Sequence, residues 1–154
     1  MLPYSDQQIS TTYGGPIVKD RVHYFANYEY ERQPQTTTYS SPYPAFNVDQ
    51  YGVNREDKGG LKIDAQLGHQ THMTLSGHGY GRLEPYDSRY TGGATRAPSS
   101  EIATHRHSND IGVDLSQVLS TRAFNELNAG YFGFYWTLEV PRFERHGWPV
   151  FHGQ

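Results

Sequence analysis

The sequence predicts an all-β chain, an antiparallel meander of about five or six long strands, and three observations carry that reading. Apolar and polar side chains alternate over long runs. The composition is aromatic-rich yet polar. The punctuation falls into two lengths, short turns and long excursions. Thirteen Tyr, seven Phe and two Trp sit in a chain that is only 35% hydrophobic, with a mean hydropathy of -0.78. Tyr, Phe and Trp favour strands, and so aromatic a chain is not a disordered one. Sixteen Gly and nine Pro supply turns and argue against long helices. A length of 154 residues is that of one domain.

The first long strand is the best marked. Gly14-Gly15-Pro16 reads as a break, and Lys19-Asp20-Arg21 as a solvated connection. From Val22 to Arg32 the residues Val22, Tyr24, Ala26, Tyr28 and Tyr30 then share one parity, against His23, Asn27, Glu29 and Glu31 on the other, with Phe25 the one apolar intruder there. A period of two gives one apolar and one wet face. Before the break, Ile9, Thr11 and Tyr13 suggest the end of another strand over Gln7 to Tyr13. Gln33 to Gly59 holds three prolines and the cluster Arg55-Glu56-Asp57-Lys58, and reads as a long polar loop.

From Gly60 the alternation is at its cleanest, with Leu61, Ile63, Ala65 and Leu67 opposed by Lys62, Asp64 and Gln66. Gly68 to His72 is a tight turn, and Met73 to Gly81 returns as the second arm of a hairpin. Arg82 to His107, with Pro85, Gly92-Gly93 and Pro98, reads as a second long loop. A further strand starts at Asn109, placing Ile111, Val113 and Leu115 against Asp110, Asp114 and Ser116. It turns at Leu119 to Arg122 and returns over Ala123 to Trp136. The aromatics on both parities from Tyr131 onward suggest a bulge near Gly133.

Two structureless loops of more than about 20 residues do not suit a compact soluble domain. They do suit an outer-membrane β-barrel, which has short periplasmic turns, long extracellular loops and strands alternating between lipid and lumen. On that geometry Leu61, Ile63, Leu67, Ile111, Val113 and Leu115 face lipid. Glu29, Glu31, Lys62, Asp64, Asp110, Asp114 and Glu126 face a watery lumen. Tyr28, Tyr30, Tyr80, Tyr135 and Trp136 fall at the outer ends of outward strands, where an aromatic girdle belongs. No run approaches the roughly 20 apolar residues of a membrane helix, and the first twenty residues show neither region of a secretory signal. With no Cys there is no disulfide framework and no thiolate metal site, and a net charge of -3 offers nucleic acid no basic footprint.

The segment GGPIVKDRVHYFANYEYER, Gly14 to Arg32, resembles one that recurs in the barrels of Oar-like TonB-dependent transporters. Gly14-Gly15-Pro16-Ile17, Lys19-Asp20-Arg21 and Asn27-Tyr28-Glu29 sit at matching offsets. The later GGLKIDAQLGHQTHMTLSGHGYGR resembles a hairpin of the same barrels, and the matching parts extend over roughly Thr12 to Tyr135. The resemblance implies a receptor of the outer membrane of a Gram-negative bacterium that takes up extracellular solute. It also implies partners: outer-membrane lipid, the remaining barrel strands, an N-terminal plug, and TonB acting through that plug. No signal peptide, plug, TonB box or terminal aromatic is read here, and five or six strands do not close even a barrel of about eight. Residues 1–154 are therefore expected to be a partial receptor barrel, an incomplete segment of a transmembrane sheet. The rival reading is a soluble β-sandwich that binds carbohydrate or protein.

No residue set carries enzyme chemistry, and no catalytic, cofactor or metal residues are expected. His105 with His107, or His69 with His72, has the spacing of metal ligands, but without Cys or further ligands solvated loop histidines are the simpler reading. Asp110, Asp114 and Asp64 suggest a carboxylate pair of the glycosidase kind, which a polar barrel wall explains more simply. Gly77-His78-Gly79-Tyr80-Gly81 lacks the spacing of a phosphate loop. Tyr39, Tyr43 and Tyr51 either stack on sugar or peptide or pack the first long loop on itself.

Overall fold

A computed structural model describes residues 5–40, 42–86 and 102–139. Six strands, β1 (Gln7–Val18), β2 (Val22–Tyr39), β3 (Val48–Gly68), β4 (Thr71–Glu84), β5 (Ala103–Ser120) and β6 (Ala123–Glu139), form one antiparallel sheet in the order of the chain. Strands joined by short connections pair with their sequence neighbours, so the sheet is a pure meander with β1 and β6 at its edges. Among the described residues the one helical turn is the 3-10 segment Pro44–Phe46.

Several expected boundaries move. Gly14-Gly15-Pro16 lies inside β1, where Pro16 sits opposite His23 and the register shifts between Pro16 and Val18. An edge strand tolerates a proline because one side of its backbone has no ladder to serve. The connection shrinks to Lys19–Arg21, closed by the Arg21 amide donating to the Val18 carbonyl at 3.1 Å, with Asp20 in the left-handed region at φ 60°. Asp is one of the few side chains that accept that conformation readily.

The supposed loop from Gln33 to Gly59 is mostly strand, since β2 continues to Tyr39 and pairs through to Tyr39 opposite Val48. Pro34 does not stop it, because β1 ends opposite Arg32 and, among the described residues, no strand pairs with that flank of β2 from there on. Likewise β4 reaches Glu84 and β5 begins at Ala103, with Glu84 opposite Thr104. The middle of the second expected loop, with Gly92-Gly93 and Pro98, lies outside the described residues. No bulge occurs at Gly133: β5 and β6 pair without a break from Ala103–Glu139 to Val118–Phe124. The irregularities fall instead beside the three short turns, at Pro16/Val18, Gln66/Gly68 and Val118/Ser120.

This register fixes the faces, because directly opposed residues share one. One row reads Val22, Ala65, Met73, Leu115, Leu127 from β2 to β6, and the next reads Tyr24, Ile63, Leu75, Val113, Ala129. A third reads Ala26, Leu61, Gly77, Ile111, Tyr131. Together they make a continuous apolar face. Among the described residues no second layer covers it. Of these three rows only Ala65 is buried, while Leu61 is 49%, Ile111 56% and Tyr131 61% exposed. The apolar face ends on one side at the short turns. On the other it ends where the Tyr28 hydroxyl donates to Asp57 at 2.6 Å and Arg32 stands opposite Arg55.

Candidate functional site

The opposite face is polar, and its most connected part is a row that crosses all six strands: Gln8, Glu31, Glu56, Arg82, Arg106, Trp136. Directly opposed neighbours in this row repeat a sign, Glu31 against Glu56 and Arg82 against Arg106, an arrangement that by itself destabilises a sheet. Residues two further along each strand lie on the same face, and they supply the missing charges. Lys58 reaches Glu56 at 2.5 Å and Glu29 at 3.3 Å. Arg82 then forks between Glu56 at 3.1 Å and Glu84 at 2.6 Å, and Glu84 passes the chain to Arg106 at 3.1 Å. The Arg106 guanidinium lies over the Trp136 ring, 5.7 Å from its centroid.

The ladder therefore runs Glu29, Lys58, Glu56, Arg82, Glu84, Arg106 and ends on an aromatic. Gln8 donates to Glu29 at 3.2 Å and the Tyr80 hydroxyl to Glu56 at 3.4 Å, which brings β1 into the same network. Its middle is partly withdrawn from solvent, with the Glu56 and Glu84 side chains 15% and 14% exposed against 43% for Lys58. Hydrogen bonds between charged groups are the strong ones, and Arg offers a planar fork that can serve two carboxylates at once. Chemically the ladder holds charge in fixed positions; its carboxylates are engaged by cations rather than poised as bases.

Closer to the short turns, the same face carries a second group. The His78 Nδ1 lies 2.8 Å from an Asp110 oxygen. Asp64 accepts from the Thr74 hydroxyl at 2.7 Å and faces Lys62 at 3.1 Å and His72 at 3.7 Å.

The register puts Glu29, Glu31, Lys62, Asp64, Asp110, Asp114 and Glu126 on the polar face together, and Leu61, Ile63, Ile111, Val113 and Leu115 on the apolar one. Leu67, next to the turn, is 59% exposed. The expected girdle needs correction. Tyr28, Tyr30 and Tyr135 are on the apolar face, but Tyr80 shares a row with Lys58 and Ser108 and Trp136 one with Arg106, both on the polar face. The reason is parity: their strands keep strict alternation, so an even residue of β4 or β6 points away from Leu75 or Tyr131.

The candidate ligand sets are not assembled. His105 and His107 lie in β5 rather than in a loop, His107 beside the Tyr135 ring at 6.2 Å and His105 3.7 Å from Glu139. His69 is in a turn, and His72 in β4 faces Asp64. Among the described residues no group of three or more His, Asp or Glu is placed to hold a metal. Asp64 and Asp114 flank Thr74 in one row, two strand spacings or about 10 Å apart. Gly77 to Gly81 is plain strand within β4. At the tip of the β2–β3 hairpin the Tyr43 ring meets Phe46 edge-on at 6.4 Å, while Tyr39 ends β2 and Tyr51 stands opposite Thr36.

Among the described residues no helix is long and apolar enough to cross a membrane. No family model matches this chain, and neither a curated protein nor a solved structure does.

Proposed function

We propose that this chain forms part of the wall of an outer-membrane transport barrel of the TonB-dependent, Oar-like kind. The apolar face lies against lipid, the charged ladder faces the lumen, the short turns sit at the periplasmic rim and the longer connections reach outward. The observation that carries this reading is the separation of the two faces across six strands, with no second layer over the apolar one among the described residues. A soluble sheet buries such a face under helices or another sheet. Lipid is the one solvent that covers it without a second layer.

The dimensions agree. From Val22 to Tyr30 the apolar parity runs for nine residues, roughly 30 Å along the strand and about 23 Å in height at a tilt near 40°, against an apolar band of about 25 Å in such barrels. Beyond Tyr30, β2 and β3 continue as a hairpin whose outer part, from Gln33 to Asn54, carries one charge, Asp49. It projects past the band as a presenting arm.

The free edges of β1 and β6 need partner strands, because unpaired backbone groups are not tolerated in hydrocarbon. Further strands of the barrel supply them, and a plug within the lumen would meet the ladder and couple it to TonB. The chain's own part is structural and selective, without chemistry.

Refolding tests this proposal. Diluted from urea into LDAO micelles, the chain is expected to regain strand circular dichroism, whereas in plain buffer it aggregates through Leu61, Ile111 and their neighbours. A monodisperse, cooperatively melting monomer in plain buffer would overturn the lipid-facing assignment.

A further inference from the structure

The polar face carries single aromatics elsewhere, such as Phe25 opposite Lys62, but on β6 they form a column, where Phe132, Phe134 and Trp136 all point to the polar side, in rows with Asp110, Ser108 and Arg106. Trp136 is engaged by Arg106, but the Phe132 and Phe134 side chains are open, with these residues 68% and 52% exposed. Beside them, beginning at Ser108 and Asp110 on β5 and reaching β2, the same face holds a depression of about 220 Å³ lined also by Asn27, Lys58, His78 and Tyr80. Two of its lining side chains close over Gly60, where a Cβ would stand 2.6 Å from the Asn27 amide oxygen and 2.7 Å from the His78 ring and would force them aside.

We propose that Phe132, Phe134 and this depression form one binding site for an uncharged oligosaccharide. Aromatic rings in a polar setting offer a surface to the C–H face of a sugar ring, and amide, hydroxyl, imidazole and carboxylate groups beside them match its hydroxyls. A purely apolar occupant, such as a hydrophobic protein segment, would cover the rings but strip water from Asn27, Lys58 and Asp110 without replacing it. A strongly charged ligand finds little to select it. Lys58 is held by Glu29 and Glu56, and Asp110 by His78. From β6 to β3 is three strand spacings, roughly 14 Å, which a short oligosaccharide spans and a monosaccharide does not.

The site rests on the proposed lumen only in its location, so the two readings fail separately. The chain is held in LDAO micelles, or in plain buffer if it proves soluble there. It is titrated by calorimetry with maltohexaose, cellohexaose, laminarihexaose and chitohexaose, with glucose as the short control. At least one hexasaccharide is expected to bind, at least tenfold more tightly than glucose. Phe132→Leu with Phe134→Leu, which keeps the apolar character and removes the rings, is expected to weaken it at least tenfold at unchanged strand content. Gly60→Val, which displaces Asn27 and His78 from the lining, is expected to do the same, and Phe124→Leu, near the turn, to leave it intact. Binding by none of the four, or binding indifferent to the ring and floor substitutions, overturns the site. Binding in plain buffer without detergent keeps the site and removes the membrane wall.

Discussion

In the full-length barrel proposed above, Ile63→Arg is expected to abolish assembly into lipid vesicles, while Asp64→Asn, one residue away, leaves assembly near that of the parent. Ile63 sits between Tyr24 and Leu75 near the centre of the apolar face. A cationic side chain at mid-bilayer depth there costs about 2–4 kcal/mol, a large part of the few kcal/mol by which folded chains exceed unfolded ones. Asp64 is on the opposite face, with its side chain 34% exposed and its ion pairs to Lys62 and His72 at 3.1 Å and 3.7 Å. Partly exposed pairs of this kind contribute under about 1 kcal/mol, and Asn keeps an acceptor for the Thr74 hydroxyl. Heat-modifiable migration on gels reads the outcome. Equal loss, or equal tolerance, would mean that the two faces do not meet different solvents.

Arg82→Gln is expected to be the most damaging substitution on the polar face, lowering the stability of the refolded sheet by about 2–3 kcal/mol. Arg82 serves Glu56 and Glu84 at once, and those carboxylates are 15% and 14% exposed. Among the described residues its loss leaves Lys58 beside Glu56 and Arg106 beside Glu84, and sets Glu31 opposite a less compensated Glu56. Lys62→Gln is the matched control, since the Lys62 and Asp64 side chains are 49% and 34% exposed and the change is expected to stay under about 1 kcal/mol. Urea unfolding in micelles, followed by strand circular dichroism, gives both numbers. If Lys62→Gln proves as costly as Arg82→Gln, the ladder is no more than surface charge.

The meander and its faces were legible in the sequence because alternation is a local property: once Leu61 to Leu67 and Ile111 to Leu115 are read with period two, pairing between neighbours carries the parity across the sheet. The lengths of the strands were not. Gln33 to Gly59 alternates weakly, being polar on both faces beyond Tyr30, and a strand whose two faces meet the same solvent leaves no periodic signal. The ladder was hidden for the same reason, since Glu56, Lys58, Arg82 and Arg106 fell in stretches read as loops. A signal was nonetheless present. Glu56 and Lys58 continue the parity of Lys62 and Asp64, and Arg82 and Glu84 that of His78 and Tyr80. Prolines misled in both directions, since Pro16 and Pro34 both lie where one flank of a strand is open, which depends on pairing and not on local sequence. Phe132 and Phe134 were read as a slipped register, whereas they are an aromatic column on a strictly alternating strand.

The central claim, that one face of this sheet meets hydrocarbon and the other water, is tested most directly by nitroxide scanning in lipid vesicles. Single Cys substitutions at 61 to 65 and 110 to 115 are spin-labelled, and their collision rates with oxygen and with a water-soluble nickel chelate are compared. Oxygen is expected to dominate at 61, 63, 65, 111, 113 and 115, and the nickel chelate at 62, 64, 110, 112 and 114, with a period of two and the same phase on β3 and β5. Nickel accessibility at both parities, or a phase that differs between the two strands, would contradict it.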